Sequence, residues 1–183
     1  MARATAGVVT GDARSVPAGA VPADLAGFRA MFSAFHHFAP PAACRVLADA
    51  ASRGVGIAIF EATRRDPWAL LLMCLTPLFV LVITPVIRLF RWSRLLLTYV
   101  VPVIPLAVLV DGVVSCLRTF TPAELRALAE ASVPTGYAWQ AGEVGDGPIP
   151  VTFLVGVAIV SAPAPGTRIP ATSAAARRFA PPR

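Results

Sequence analysis

A long apolar block divides the chain into three parts. Residues 68–87 contain no charged side chain, and a helix of that length would measure about 30 Å, the thickness of a bilayer core. Residues 95–110 form a second charge-free run, about 24 Å long as a helix, and three arginines lie between the two runs. The pattern predicts an apolar helical hairpin, and a chain this short has few other residues to bury it.

Four prolines interrupt the block, and each removes a backbone donor and bends or breaks a helix. We therefore expect a hairpin that dips into one leaflet at least as readily as two straight spans. In the dipping arrangement the flanking arginines meet one anionic lipid surface, whereas in a spanning hairpin they face opposite sides. The predicted interface residues are Trp68, Arg88, Arg91, Trp92 and Arg94. A hairpin buried in the core of a soluble protein is the alternative.

An α/β pattern precedes the block. Residues 28–35 and 55–60 are apolar runs typical of buried strands, and residues 42–52 between them have the spacing of an amphipathic helix. The apolar face of that helix consists of Val46, Leu47 and Ala50. Strand, helix and strand joined by short links predict a parallel pair of strands.

The α/β pattern resumes after the block. Thr121, Pro122 and Glu124 have the spacing of a capping box with proline at the first helical position. Residues 137–144 and 151–160 read as two strands joined by a turn-rich loop, which predicts an antiparallel hairpin at a sheet edge.

These patterns predict four segments along the chain. A partial α/β unit covers residues 1–66, with a further short strand at residues 7–10, and the membrane-associating hairpin covers residues 67–111. Residues 112–162 supply a helix and the closing strands of the same α/β domain. Residues 163–183 are rich in Ala and Pro and contain four arginines and no acid, so we expect a disordered basic tail.

Composition favours a membrane-associated chain over an ordinary soluble domain. Of the 183 residues, 56% are hydrophobic and 14% charged, against about 25% charged in soluble domains. All sixteen basic residues are Arg, and the absence of Lys and Asn is typical of a GC-rich genome, so the net charge of +6 has less functional weight. The arginines are scattered, which argues against nucleic-acid binding. The three cysteines lack metal-binding spacing, and the first twenty residues lack the apolar run of a signal peptide.

Four short motifs occur in a recognisable order. They are GDA at residues 11–13 with a proline soon after, HHF-x-P at 36–40, A-x-x-V-L-x-x-A at 43–50 and GIAIFE at 56–61. This order resembles the second half of a class I S-adenosylmethionine-dependent methyltransferase. The resemblance implies a partial Rossmann-like sheet in which the third, fourth and fifth strands precede a helix and two closing antiparallel strands. The apolar hairpin would then be an insertion after the fifth strand.

The resemblance also implies a cofactor, S-adenosylmethionine. In this family a glycine-rich turn after the first strand and an acid at the end of the second hold that cofactor, and neither occurs here. We therefore expect a truncated or degenerate cofactor site. Asp12 stands where the family places a polar residue near the adenine ring, and Ala13 would add a backbone amide. An aspartate that stabilises a turn is the alternative.

His36 and His37 follow the strand that ends near residue 35, on the side where open α/β sheets bind ligands. Either histidine is a candidate base for methyl transfer, and the alternative is a loop pair with one ring buried and one exposed. No further Cys, His or acid stands close enough in the sequence to suggest a metal site. Glu61, Arg64 and Arg65 follow the next strand, where Glu61 would line a pocket or pair with an arginine. A salt-bridged face beside the membrane is the alternative.

The sequence thus predicts a membrane-associated, methyltransferase-like protein at the cytoplasmic face of a membrane. Its expected partners are membrane lipid and a lipophilic small-molecule acceptor. The alternative is a small, non-catalytic integral membrane protein whose α/β flanks form an interaction module. Asp111 and Arg118, where the chain leaves the apolar block, are expected to pair with each other or with lipid headgroups.

Overall fold

A computed structural model describes residues 11–88, 90–133, 135–145, 147 and 150–159. Within this part of the chain the fold is mixed α/β, with one four-stranded sheet and five α-helices. The strands are β1 (Arg29–Phe32), β2 (Ile57–Glu61), β3 (Tyr137–Val144) and β4 (Val151–Ala158). The helices are α1 (Pro40–Ser52), α2 (Pro67–Ile83), α3 (Trp92–Leu95), α4 (Val103–Arg118) and α5 (Pro122–Ser132). The strand predicted at residues 7–10 and the tail predicted at residues 163–183 lie outside the described residues.

The sheet has the strand order β1–β2–β4–β3. Strands β1 and β2 are parallel, and β4 runs antiparallel to both β2 and β3. The structure confirms the predicted parallel pair and the closing antiparallel hairpin. Strand β1 is shorter than predicted because the chain turns away at Ser33, which has a φ of 44°, and enters a 3-10 turn at Phe35–His37.

A hydrophobic core joins α1 and α5 to the sheet. The buried face of α1 contains the three predicted side chains and one more, namely Ala43, Val46, Leu47 and Ala50. This face packs with buried side chains of β2, β4 and α5, including Ile59, Leu154 and Leu125. Burial of that stripe stabilises the helix, since each large apolar side chain contributes about 1.5–3 kcal/mol.

Helix α5 begins at the predicted capping box. The Thr121 hydroxyl accepts from the Glu124 N–H, and the Glu124 carboxylate accepts from the Thr121 N–H at 2.8 Å. The two side chains thereby satisfy backbone donors that the first helical turn leaves free. Pro122 occupies the first helical position, where its missing N–H costs nothing.

The apolar block forms a hairpin of α2 and α4, and its first limb departs from the sequence prediction. Helix α2 continues through Pro77, where a bend or break was expected. Pro77 cannot donate to the carbonyl of Met73, but the Thr76 hydroxyl donates to that oxygen at 2.7 Å. Since the freed carbonyl keeps a partner, the helix remains continuous.

The expected breaks appear elsewhere in the hairpin. Helix α2 ends at Ile83 before a 3-10 turn that contains Pro85, and the Tyr99 hydroxyl donates to the carbonyl of Leu81 that Pro85 leaves free. The returning limb bends by 71° between residues 92–100 and α4. Both a broken span and a re-entrant loop have this geometry.

Helix α4 carries the chain back to the sheet without interruption. It extends through Asp111, the last residue of the predicted hairpin segment, and ends at Arg118. Gly112 lies against α2, where an added Cβ would come within 2.9 Å of the Met73 sulfur. This close approach lets the two helices pack tightly at the base of the hairpin.

Three side-chain contacts join the chain where the hairpin leaves and rejoins the α/β layer, and we call this group the neck. The hydroxyl oxygens of Thr63 and Thr119 are 2.6 Å apart. Arg65 pairs with Glu124 of α5, and Arg64 pairs with Glu143 of β3. The neck fixes the base of the hairpin to both the sheet and the next helix.

Candidate functional site

The candidate site lies at the carboxyl ends of the parallel strands. Strand β2 ends at Glu61, and the chain after β1 passes directly beside it in the 3-10 turn. Ligands of open α/β sheets bind at this edge, where successive strands deliver their loops to one place. His36 and Glu61 are 25 residues apart in the sequence but meet here.

Glu61 is the centre of this cluster. Its side chain is 2% exposed. Oxygen Oε1 accepts from the backbone N–H groups of Ala34, Phe35 and His36, at 3.1, 2.6 and 3.3 Å. Oxygen Oε2 lies 2.6 Å from Nδ1 of His36. Four polar contacts satisfy the buried carboxylate, and they fix the turn after β1 against the end of β2.

His36 is held in one orientation by this contact. Its side chain is 4% exposed. With Glu61 as a carboxylate, Nδ1 must donate to Oε2, and Nε2 is the ring nitrogen left to accept a proton or a hydrogen bond. A carboxylate that orients a histidine through its other nitrogen is the arrangement used by general bases in enzymes.

His37 has a different role from its neighbour. Its ring is exposed and lies 4.2 Å from the His36 ring, centre to centre. Its backbone carbonyl accepts from the Arg118 guanidinium at 3.0 Å. The pair therefore has one buried and one exposed ring, which was the alternative interpretation of this motif. Of the two predicted bases, only His36 has an orienting partner within the described residues.

An open cavity of about 680 Å³ lies beside His36. It is bounded by the start of α1, the end of α4 and the length of α5. Its polar groups are His36, Arg65, Arg118 and Glu124, and the rest of its wall is mostly apolar. A largely apolar cavity with a few convergent polar groups is typical of a small-molecule site.

Arg64 and Arg65 form ion pairs, as in the alternative interpretation, but not with Glu61. Glu61 pairs with His36 and with neither arginine, because Arg64 contacts Asp66 and Glu143 while Arg65 contacts Glu124. The hydrogen bond from Arg65, followed by that from the Thr121 N–H, lowers the pKa of Glu124 below its ordinary value of 4.5. Glu124 therefore stays ionised and holds Arg65 at the rim.

Asp111 and Arg118, which were expected to pair with each other or with lipid headgroups, do not pair with each other. They stand seven residues apart on α4, about 10 Å along its axis, and neither forms an ion pair within the described residues. Arg118 instead donates to the His37 carbonyl. Asp111 is exposed on α4.

The predicted cofactor residues lie in the exposed loop before β1. Both carboxylate oxygens of Asp12 accept from Arg14, whose guanidinium also bonds Asp24. These hydrogen bonds, from the side chain first and then the backbone of Arg14, lower the pKa of Asp12. Ala13 is exposed beside it, and neither residue lines the cavity. With Asp12 engaged by Arg14 and no glycine-rich turn after a described strand, these residues do not form a site that fits S-adenosylmethionine.

The predicted membrane-interface residues stand at the two ends of α2. Trp68 lies in its first turn, while Arg88, Arg91, Trp92 and Arg94 follow its far end. Residues 67–86 form a helical stretch long and apolar enough to cross a membrane, with a mean hydropathy of 2.5 and only 6% of it buried. Trp92 is 78% exposed.

Arg118 and Phe120 are the site residues whose place in the cavity the sequence did not reveal. Arg118 is the first arginine after the apolar block, and this position is the feature of the sequence that could have identified it as a site residue. No group of three or more His, Cys, Asp or Glu side chains with metal-binding geometry occurs in the described ranges. Comparisons with protein families, curated proteins and solved structures find no match for this chain.

Proposed function

We propose that this chain is a membrane-associated protein of methyltransferase-like architecture, whose hairpin enters lipid and whose cavity receives a lipophilic small molecule. The observation that carries the proposal is the exposed apolar hairpin, because its helix α4 ends at the rim of the cavity. The order of elements supports the methyltransferase-like part. A parallel pair, a helix and two closing antiparallel strands follow one another as the resemblance implies. Attachment at the cytoplasmic face stays a prediction from the sequence.

His36 is the proposed base of this site. Glu61 orients its ring and leaves Nε2 for a substrate in the adjoining cavity. A bound hydroxyl or amine would give up its proton to Nε2, and Glu61 would stabilise the imidazolium that results. The exposed His37 contributes its backbone carbonyl, which holds Arg118.

The proposal includes an expectation for the cofactor. Because Asp12 is engaged by Arg14 and the glycine-rich turn is missing, we expect this chain alone not to bind S-adenosylmethionine. Calorimetric titration of the purified chain in nonionic detergent tests this expectation. Binding in the micromolar range would contradict it and would make the chain a complete cofactor-binding unit.

Liposome flotation tests the membrane part. The wild-type chain should rise with vesicles of phosphatidylcholine and phosphatidylglycerol, because the exposed side chains of α2 gain about 25 cal/mol per Å² on leaving water. A variant with Leu78→Glu and Phe79→Glu should stay at the bottom of the gradient, since both side chains are exposed on α2.

A matched variant separates the hairpin from apolar surface in general. Val157→Glu alters an exposed apolar side chain of β4, outside the hairpin, and should float like the wild type. If the wild-type chain remains soluble without detergent and does not float, the membrane proposal fails. A soluble α/β piece whose hairpin is buried against a partner subunit would then be the better interpretation.

A non-catalytic interaction module is the second candidate function. One observation favours it: Oε1 of Glu61 is already used by three backbone N–H groups, so the His36–Glu61 pair also has a structural role. Under this alternative the pair holds the turn after β1 in place and no proton moves.

A further inference from the structure

We propose that the cavity beside His36 binds a single-chain amphiphile with an anionic head, which reaches it along the outer face of α4. The proposal rests on the membrane attachment argued above. It adds the class of ligand and names the groups that hold each end of it. It is based on two observations, the positive charge at the rim of the cavity and an apolar stripe on the outer face of α4.

The rim of the cavity carries an excess of positive charge. Arg65 is neutralised by Glu124, but Arg118 contacts no carboxylate among the described residues and donates only to the His37 carbonyl. A guanidinium has five N–H donors, so most of those of Arg118 remain for a ligand. A carboxylate or phosphate head would complete this arrangement with charge-assisted hydrogen bonds.

The outer face of α4 is a continuous apolar stripe. Five exposed side chains follow each other at helical spacing from the bend of the hairpin to the cavity, namely Val103, Leu106, Val110, Val114 and Leu117. The stripe is about 21 Å long at 1.5 Å per residue. Its last member, Leu117, also lines the cavity, and Arg118 follows at once.

This arrangement matches the shape of a single-chain amphiphile. Its aliphatic chain would cover the stripe, and its head would meet Arg118 where the stripe ends. The mostly apolar wall of the cavity, which includes Phe120 and Leu128, would accommodate the part of the chain next to the head. Because a single apolar stripe leads to the guanidinium of Arg118, the site accommodates one aliphatic chain and one anionic head group.

A fluorescent fatty acid tests the inference on the full chain in nonionic detergent. The probe is cis-parinaric acid, and its uncharged methyl ester is the control ligand. We expect the acid to bind about tenfold more tightly than the ester, the effect of one charge-assisted hydrogen bond. Arg118→Gln should remove this preference, while Arg126→Gln on the exposed face of α5 should leave it unchanged.

A second pair of variants keeps the test decisive if Arg118→Gln unfolds the chain. Ala127 is exposed and lines the cavity, so Ala127→Trp should block both acid and ester. Ala123 is exposed on the same helix outside the cavity, so Ala123→Trp should bind both ligands normally. Equal affinity of the wild type for acid and ester, or equal effects of the two Trp variants, would overturn the inference.

Two further readouts separate this inference from neighbouring ones. Displacement of the probe by phosphatidylglycerol at an equal mole fraction would overturn the single-chain assignment in favour of a diacyl lipid. Ala127→Trp should still float with liposomes, because it leaves the hairpin intact. If the wild type binds the probe but does not float, the membrane proposal fails. If the wild type floats but does not bind the probe, the ligand proposal fails.

Discussion

At the scale of single residues, Glu61 connects the fold with the candidate site. Its carboxylate is buried at the end of β2, where it holds three backbone N–H groups and His36 at once. A buried carboxylate is costly unless such partners compensate for the lost water. Since the same contacts orient the histidine, the stability of the turn and the position of the candidate base depend on one side chain.

Glu61→Gln is expected to lower the free energy of unfolding by about 2–4 kcal/mol, because it replaces a charged acceptor of four contacts with a neutral amide. Urea denaturation in nonionic detergent measures the change. Glu130→Gln serves as the control, since Glu130 is an exposed partner of Arg126, and it should change stability by less than about 0.5 kcal/mol. Equal effects of the two substitutions would show that the Glu61 cluster is not stabilising.

The His36–Glu61 pair shows what sequence reasoning can and cannot reach at this scale. His36 was identified from its place after a strand, and Glu61 from its place after the next one. Their contact could have been inferred as well, because parallel neighbours end at the same edge of a sheet. The tautomer of His36 could not have been inferred, because it depends on the 2.6 Å contact between its Nδ1 and Oε2 of Glu61.

At the scale of secondary-structure elements, α2 shows how a threonine keeps a proline-containing helix continuous. Pro77 frees the carbonyl of Met73, and the Thr76 hydroxyl compensates from the neighbouring position. In lipid no water is available to satisfy that oxygen, so the hydroxyl matters more there than on a soluble surface. The sequence contains both residues but gives no sign that they act together.

A double-mutant cycle between Thr76 and Pro77 tests this compensation. Thr76→Val keeps the side-chain shape and removes the hydroxyl, and it should cost about 1 kcal/mol in the wild-type background. In the Pro77→Ala background a backbone N–H can bond the Met73 carbonyl, so Thr76→Val should then cost little. Denaturation of all four proteins in detergent measures the coupling, and a cost that is equal in both backgrounds would refute the explanation.

The elements that were predicted correctly have a simple periodic pattern. Strand β3 has the expected bounds, and α1 buries the expected face. Both elements have one buried face, so the spacing of their apolar residues can be recognised in the local sequence. The hairpin departs from prediction at Pro77, where a local hydrogen bond from a side chain to the backbone decides. Proline rules alone predict a break at Pro77, whereas a neighbouring hydroxyl determines the outcome.

At the scale of the whole molecule, the neck connects the apolar hairpin with the α/β layer. Arg65 and Glu124 are 41% and 44% exposed, so their ion pair contributes modestly and is screened by salt. It nonetheless bridges the end of β2 and the start of α5, one on each side of the hairpin. Protonation of Glu124 in acid should therefore weaken the neck.

The stability contributed by Arg65 should depend on pH. The hydrogen bond from Arg65 lowers the pKa of Glu124 from its ordinary value of 4.5. A lowered folded-state pKa stabilises the protein above that ordinary value, and the contribution disappears as the pH falls through the lowered value. Arg65→Gln should therefore cost about 0.5 kcal/mol at neutral pH and less in acid.

Paired denaturation curves at neutral pH and well below pH 4.5 measure this difference. Arg126→Gln is again the matched control, because it removes an exposed arginine of α5 that is not part of the neck. A cost of Arg65→Gln that is the same at both pH values would show that Glu124 is not its energetic partner.

The neck has one more consequence, for how such a protein can evolve. Because the hydroxyls of Thr63 and Thr119 touch, the intervening chain leaves the sheet and returns to almost the same point. An inserted segment whose two ends meet can be lengthened, shortened or exchanged at small entropic cost to the α/β domain, since closure entropy grows only slowly with loop length. The apolar hairpin is therefore a part that descendants of this chain can gain or lose while the order of their strands stays the same.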